Sequence, residues 1–184
     1  NAVILHSCET CQKDRKAFAE NFQLIETYAN MLTPPVIVEP VEKGYVQINP
    51  PYPPATEREM DEFWDLPYTK LPHPRYKGHR IPAYDMIRFS INTHRGCFGG
   101  CNFCTIAAHQ GKFIQSRSED SIIREIQGLR TLPDFAGNVS DVGAPTANMY
   151  GMHGKDTQLC AKCRRQSCLY PSPCRNLDSS HARL

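Results

Sequence analysis

The chain has 184 residues, 40% of them hydrophobic and 22% charged, and a formal net charge of +2. That is material for a folded domain with a core, not for a disordered or fibrous chain, and the charge is too small to point to nucleic acid by electrostatics alone. No apolar run approaches the roughly 20 residues that span a bilayer, so no membrane partner is expected.

The nine cysteines fall in clusters with ligand-like spacing, which points to metal ligands in a reducing cytosol rather than to a secreted disulfide scaffold. The sequence begins at Asn1 and stops at Leu184 without a stop-like tail. It therefore reads as an internal piece of something longer, and the lack of a leader carries no information.

Val3-Ile4-Leu5 predicts a short strand, followed by Cys8-Glu9-Thr10-Cys11. Such a pair can be redox-active at a helix start, but no strand–helix–strand pattern is legible around it, and two incidental thiols are expected. Asp14 caps a helix to about Leu32, with Phe18, Phe22, Ile25, Ala29 and Leu32 recurring on one face as its core side. Thr33-Pro34-Pro35 stops it. Val36-Ile37-Val38 and Tyr45-Val46-Gln47-Ile48 then form a hairpin about Glu42-Lys43-Gly44.

From Asn49 to Pro82 the prolines force extended, wrapping segments. One helix, Glu57 to Trp64, interrupts them, opened by Thr56 with Glu59 three residues on. Tyr52, Phe63, Trp64, Tyr68 and Tyr76 are expected to anchor the wrap against a domain surface.

Met86 to Asn92 alternates apolar and polar residues, predicting a strand that leads into Thr93-His94-Arg95-Gly96-Cys97-Phe98-Gly99-Gly100-Cys101-Asn102-Phe103-Cys104. Three cysteines at C-x3-C-x2-C spacing converge on one centre only if the backbone wraps tightly, which Gly96, Gly99 and Gly100 permit. Three thiolates leave one iron of a cubane without a protein ligand, and an open metal position is where chemistry happens. A Cys3His zinc site completed by His94 or His109 is the alternative.

The spacing, with Phe103 between the last two cysteines, resembles the signature of radical S-adenosylmethionine (SAM) enzymes. The resemblance implies that Cys97, Cys101 and Cys104 hold three irons of a [4Fe–4S] cluster and that SAM chelates the fourth. A reducing electron donor then drives cleavage of SAM to a 5′-deoxyadenosyl radical, which abstracts hydrogen from a substrate.

Ser118 followed by Glu119 and Asp120 starts a helix whose buried face is Ile122, Ile123, Ile126 and Leu129. Gly137 to Gly143 is the next strand. Strand, cysteine loop, helix and strand make a βαβ unit with parallel strands and a right-handed crossover, so the loop and Gly143-Ala144-Pro145 should follow adjacent strand ends, where such folds gather their sites. In radical SAM enzymes a Gly-Gly-Glu-like motif at the second strand holds the SAM amino group. Gly143-Ala144-Pro145 stands there without the acid, leaving backbone carbonyls or Asp141 to serve; Asp141 equally reads as a strand-end residue satisfying a turn.

The last segment carries Cys160, Cys163, Cys168 and Cys174, a C-x2-C-x4-C-x5-C metal signal that suits tetrathiolate zinc or a second iron–sulfur cluster.

Asn49-Pro50-Pro51, Leu66-Pro67-Tyr68, His73-Pro74, Ile81 to Ser90, Gln115 to Ser118, Ser140 to Gly143, Pro145 to Tyr150 and the final cysteines together resemble the YgiQ family of radical SAM proteins over most of the chain. The resemblance implies a bacterial, cytoplasmic protein longer than this chain, with an unidentified substrate. It implies an α/β fold, a partial (βα) barrel of radical SAM type preceded by an α/β and Pro-rich segment, divided into 1–82, an N-terminal region, and 83–184, the start of the radical SAM core. Phe103 would pack on SAM or shield the cluster, and Gly143, Ala144 and Pro145 would line the SAM pocket. Ala144 stands where the family has a second glycine, and Cys8 and Cys11 are not family-defining. A piece with so few barrel strands should bind SAM weakly or not at all. The competing expectation is a non-catalytic zinc scaffold or nucleic-acid-binding module, with Arg95, Lys162, Arg164 and Arg165 touching phosphates.

Overall fold

The computed structural model describes residues 2–144, 146–161 and 163–178. In chain order the elements are β1 (Ala2–Ile4), α1 (Cys8–Lys13), α2 (Arg15–Ala29), β2 (Val36–Val41), β3 (Gly44–Ile48), α3 (Glu57–Trp64), α4 (Pro82–Ile87), β4 (Ser90–Asn92), β5 (His94–Arg95) and α5 (Ile106–Gln110). They continue with β6 (Gln115–Ser116), α6 (Glu119–Gly128), β7 (Asp141–Gly143), β8 (His153–Gly154), α7 (Thr157–Ala161) and β9 (Leu177–Asp178). The fold is mixed α/β. Among the described residues its strands form small sheets and no closed barrel, and no helix is long and apolar enough to cross a membrane. Two compact units are present, one made of described residues in 2–54, 96–113 and 153–178, the other of those in 55–95 and 114–152.

In the first unit β1 pairs parallel with β2, and β2 pairs antiparallel with β3. The register Val41↔Gly44 leaves Glu42 and Lys43 as the hairpin turn. Helices α1 and α2 connect the parallel strands, so a strand–helix–strand unit does surround Cys8 and Cys11, contrary to expectation. β1 is only three residues long, and its pairing with β2 has no local signal in the sequence. The Cys11 thiol is pushed up, chiefly by burial and then by the Glu39 charge, the opposite of an activated redox thiol.

Asp14 ends α1 and caps α2, its carboxylate accepting from the Lys16 N–H. The buried face of α2 is not the aromatic stripe. Ala17 and Asn21 are buried, while Phe18 and Phe22 are exposed. Asn21 decides the rotation: its Oδ1 accepts from the His6 N–H at 2.9 Å and its Nδ2 donates to the His6 carbonyl at 3.0 Å, satisfying the backbone where β1 ends.

The second unit has a core of Ile91, Ile122, Leu129 and Tyr150, with Ile126, Leu132, Phe135 and Val139 packed against it. Each such aliphatic side chain contributes about 1.5–3 kcal/mol by leaving water. Ile123, expected in that core, is exposed. Helix α3 has the full capping box, with Thr56 and Glu59 bonded reciprocally, and Ser118 caps α6 through the Ser121 N–H. The expected strand from Met86 forms only at its end: Met86 and Ile87 close α4, which has Pro82 at its first turn, where the fixed φ favours helix, and β4 is Ser90–Asn92. The Pro-rich aromatics do not anchor as expected, since Tyr52, Phe63, Tyr68 and Tyr76 are exposed. Trp64 is the exception, with the Arg95 and Arg117 guanidiniums over its ring at 5.4 and 5.1 Å.

The expected parallel pair forms. β4 and β7 run parallel in the register Ser90↔Asp141, Ile91↔Val142 and Asn92↔Gly143, with α6 in the connection.

Candidate metal centre

Beneath the strand ends lies Arg117, one of the most deeply buried side chains in the protein, whose guanidinium bonds the Asn92 carbonyl at 2.8 Å, the Ser121 hydroxyl and carbonyl, and the Glu125 carboxylate. Lys70 meets the same carboxylate. This paired charge fixes the end of β4. Thr93 follows, donating its N–H to the Gly143 carbonyl at 2.6 Å and its hydroxyl to the same oxygen at 3.2 Å. His94 is fully buried, its Nδ1 2.9 Å from the Thr93 hydroxyl. Its Nε2 and the Oδ1 of Asn92 have no hydrogen-bond partner among the described residues. Burial lowers the His94 pKa and holds the ring neutral.

The cysteine loop begins two residues later, in the first unit. Gly96 and Gly100 take φ of +94° and +66°, the left-handed turns that let so short a segment wrap. Cys97 donates its N–H to the Gly111 carbonyl at 3.0 Å, and the Cys104 N–H bonds the Cys101 carbonyl at 3.1 Å. The Cys97 sulfur accepts from the Gly99 N–H at 3.4 Å. Cys101 is exposed, and Cys97 and Cys104 are half-buried. A cavity of about 350 Å³ opens on the loop; Cys101 and Cys104 share its wall with Phe22, Glu26, Asn30 and Gln166. Cys97 does not line it. Phe103 is 91% exposed.

The donor set of the loop, three thiols that deprotonate to soft anionic ligands, fits an iron–sulfur cluster. Among the described residues no three Cys, His, Asp or Glu side chains are gathered around one point as a single metal ion needs. Of the imidazoles that a zinc site would recruit, His94 is engaged with Thr93, and His109 lies in the last turn of α5.

The second cysteine segment packs on this loop within the same unit. Ser167 donates its hydroxyl to the Gly99 carbonyl at 2.7 Å, and Cys168 its N–H to the Phe98 carbonyl at 3.0 Å. A Cβ on Gly100 would stand 2.8 Å from the Gln166 carbonyl oxygen, so the close approach requires glycine. Nothing in the sequence joins segments so far apart; the paired glycines are the only trace. Burial, the largest effect, raises the Cys160 and Cys168 thiols; the Lys112 charge opposes it at both, and the Asn176 amide opposes it at Cys160.

Asp141 is exposed, and Gly143 and Ala144 are half-buried, with Ala144 bridged to Thr146. Pro145 and Lys162 lie outside the described residues. Two of the basic residues considered for phosphate are already engaged: Arg95 on Trp64, and Arg165 with the Tyr170 and Ser172 carbonyls at 3.0 and 2.7 Å.

Residues 1–90 match the family model described as Radical SAM N-terminal. A UPF0313 protein of Bacteroides thetaiotaomicron is 56% identical over 99% of this chain and 29% of its own length. One from Porphyromonas gingivalis is 50% identical over 98% of this chain and 28% of its own. UPF0313 protein YgiQ of Escherichia coli K12 is 47% identical over 97% of this chain and 24% of its own. Over nearly its whole length the chain is similar to UPF0313 proteins, YgiQ among them. It spans less than a third of the length of these relatives. No solved structure matches it.

Proposed function

We propose that this chain carries the cluster-binding part of a radical SAM enzyme. Cys97, Cys101 and Cys104 ligate a [4Fe–4S] cluster, which with SAM bound supplies reductive cleavage of the sulfonium and a 5′-deoxyadenosyl radical. The observation that supports this most directly is the place of the three-thiol loop: it follows the end of β4, whose parallel neighbour β7 ends in the Gly143-Ala144 segment.

In this reading residues 1–82 form an N-terminal region, and 83–184 begin a partial (βα) barrel of which β4 and β7 are the first strands. The protein's share of the chemistry is orientation and exclusion of water. Gly143, Ala144 and Pro145 line the SAM pocket, their carbonyls or the Asp141 carboxylate accepting from the SAM amino group. The exposed Phe103 ring is free to cover the cofactor. A cytoplasmic location and a reducing partner follow from the need to keep the thiols reduced.

The full-length protein, anaerobically reconstituted, dithionite-reduced and incubated with SAM, should release 5′-deoxyadenosine and methionine, and Cys101→Ala should abolish both. Equal product from Cys101→Ala would defeat the assignment.

A further inference from the structure

We infer that Cys160, Cys163, Cys168 and Cys174 hold a second iron–sulfur cluster, and that the buried Lys112 ammonium balances its charge. The inference is independent of the function assigned to the first loop.

The segment is closed at its ends. β8 and β9 pair antiparallel, the Lys155 N–H bonds the Asn176 carbonyl at 2.8 Å, and the Asn176 side chain bonds the Asp156 backbone in both directions. Inside, little apolar material holds it together: Leu159, Leu169 and Tyr170 are exposed, and among the described residues of the segment only Ser167 is buried. A segment without an apolar core needs a staple such as a metal.

Lys112 identifies the staple's charge. It is 4% exposed, its Nζ donates to the Arg165 carbonyl and lies 3.9 Å from the Cys163 sulfur, and no carboxylate among the described residues pairs with it. An ammonium withdrawn from water needs an anion. Protonated thiols supply none, whereas four thiolates around an iron–sulfur core do. Ligation releases the four thiol protons to solvent. Two further features suit sulfur at this place. Asn176 Nδ2 donates to the Cys160 sulfur at 3.2 Å, and Gly154 leaves room for it, since a Cβ there would stand 2.2 Å from that sulfur.

Tetrathiolate zinc uses the same four ligands, so composition decides the metal: a cluster brings iron and sulfide, and a zinc site brings neither.

The test is metal and sulfide analysis of the anaerobically reconstituted chain. C97A/C101A/C104A should retain about four irons and four sulfides per chain with the charge-transfer absorption of a cluster, and adding Cys163→Ala should remove them. Should the triple variant fail to fold, Cys168→Ala alone should lower the iron of the unmodified chain by about four per chain. Lys112→Met should shift the reduction potential of the retained cluster downward, and Lys112→Arg should restore it. Stoichiometric zinc, no metal in a folded triple variant, or iron unchanged by Cys168→Ala would overturn the inference; a potential unmoved by Lys112→Met would remove Lys112 from it.

Discussion

Cys168 donates its backbone N–H to the carbonyl of Phe98 at 3.0 Å. That bond joins the two cysteine segments of the chain. A disturbance of either must therefore reach the other, and this contact is the most direct place to test the packing.

Gly100→Ala meets two obstacles, a φ of +66° and a Cβ 2.8 Å from the Gln166 carbonyl and 2.9 Å from the Ser167 Cβ. Both neighbours sit in the loop that would have to move. The expected loss is about 1–3 kcal/mol, read as a lower urea midpoint. An unchanged midpoint would mean that the two segments do not pack as described.

The Arg117–Glu125 pair is the charged pivot under β4, with side chains 1% and 12% exposed. Glu125→Ala leaves Arg117 buried and uncompensated, and should cost about 3–5 kcal/mol. R117M/E125L should recover much of that, because two apolar groups demand no partner. Chemical denaturation of the three proteins distinguishes the pair from its separate parts.

Burial holds the folded pKa of His94 below the ordinary 6.5. Below that value the unfolded chain takes up a proton that the folded chain refuses. The His94 contribution is intact above about pH 6.5 and is lost as pH falls toward the folded pKa, with a slope of at most about 1.4 kcal/mol per pH unit. His94→Asn should flatten this part of the profile. Equal slopes in both proteins between pH 5 and 7 would contradict it.

Much of the local structure was legible. Thr56 with Glu59, and Ser118 before Glu119, mark the starts of α3 and α6 because capping is encoded within four residues. The β4–β7 pairing followed from the order of elements. What failed was everything decided by distant partners. The period of Phe18, Phe22 and Ile25 defines a helix face but not its burial, which Asn21 settles by bonding His6. The three-residue β1 becomes part of a βαβ unit only through β2.

In the candidate site the cysteine spacing could be read directly; of the strand expected before it only Ser90–Asn92 forms. Lys112 could not: a lysine looks like surface until the fold buries it beside Cys163. Phe103, expected to pack on SAM or shield the cluster, is 91% exposed.

The most direct test of the central claim is electron paramagnetic resonance of the anaerobically reconstituted, dithionite-reduced full-length protein with and without SAM, compared with Cys97→Ala. A reduced cubane signal that changes on adding SAM, and whose SAM-dependent part disappears in Cys97→Ala, is the predicted result. A spectrum indifferent to SAM, or a SAM response that survives Cys97→Ala, would contradict the assignment of Cys97, Cys101 and Cys104 as the ligands of a SAM-binding cluster.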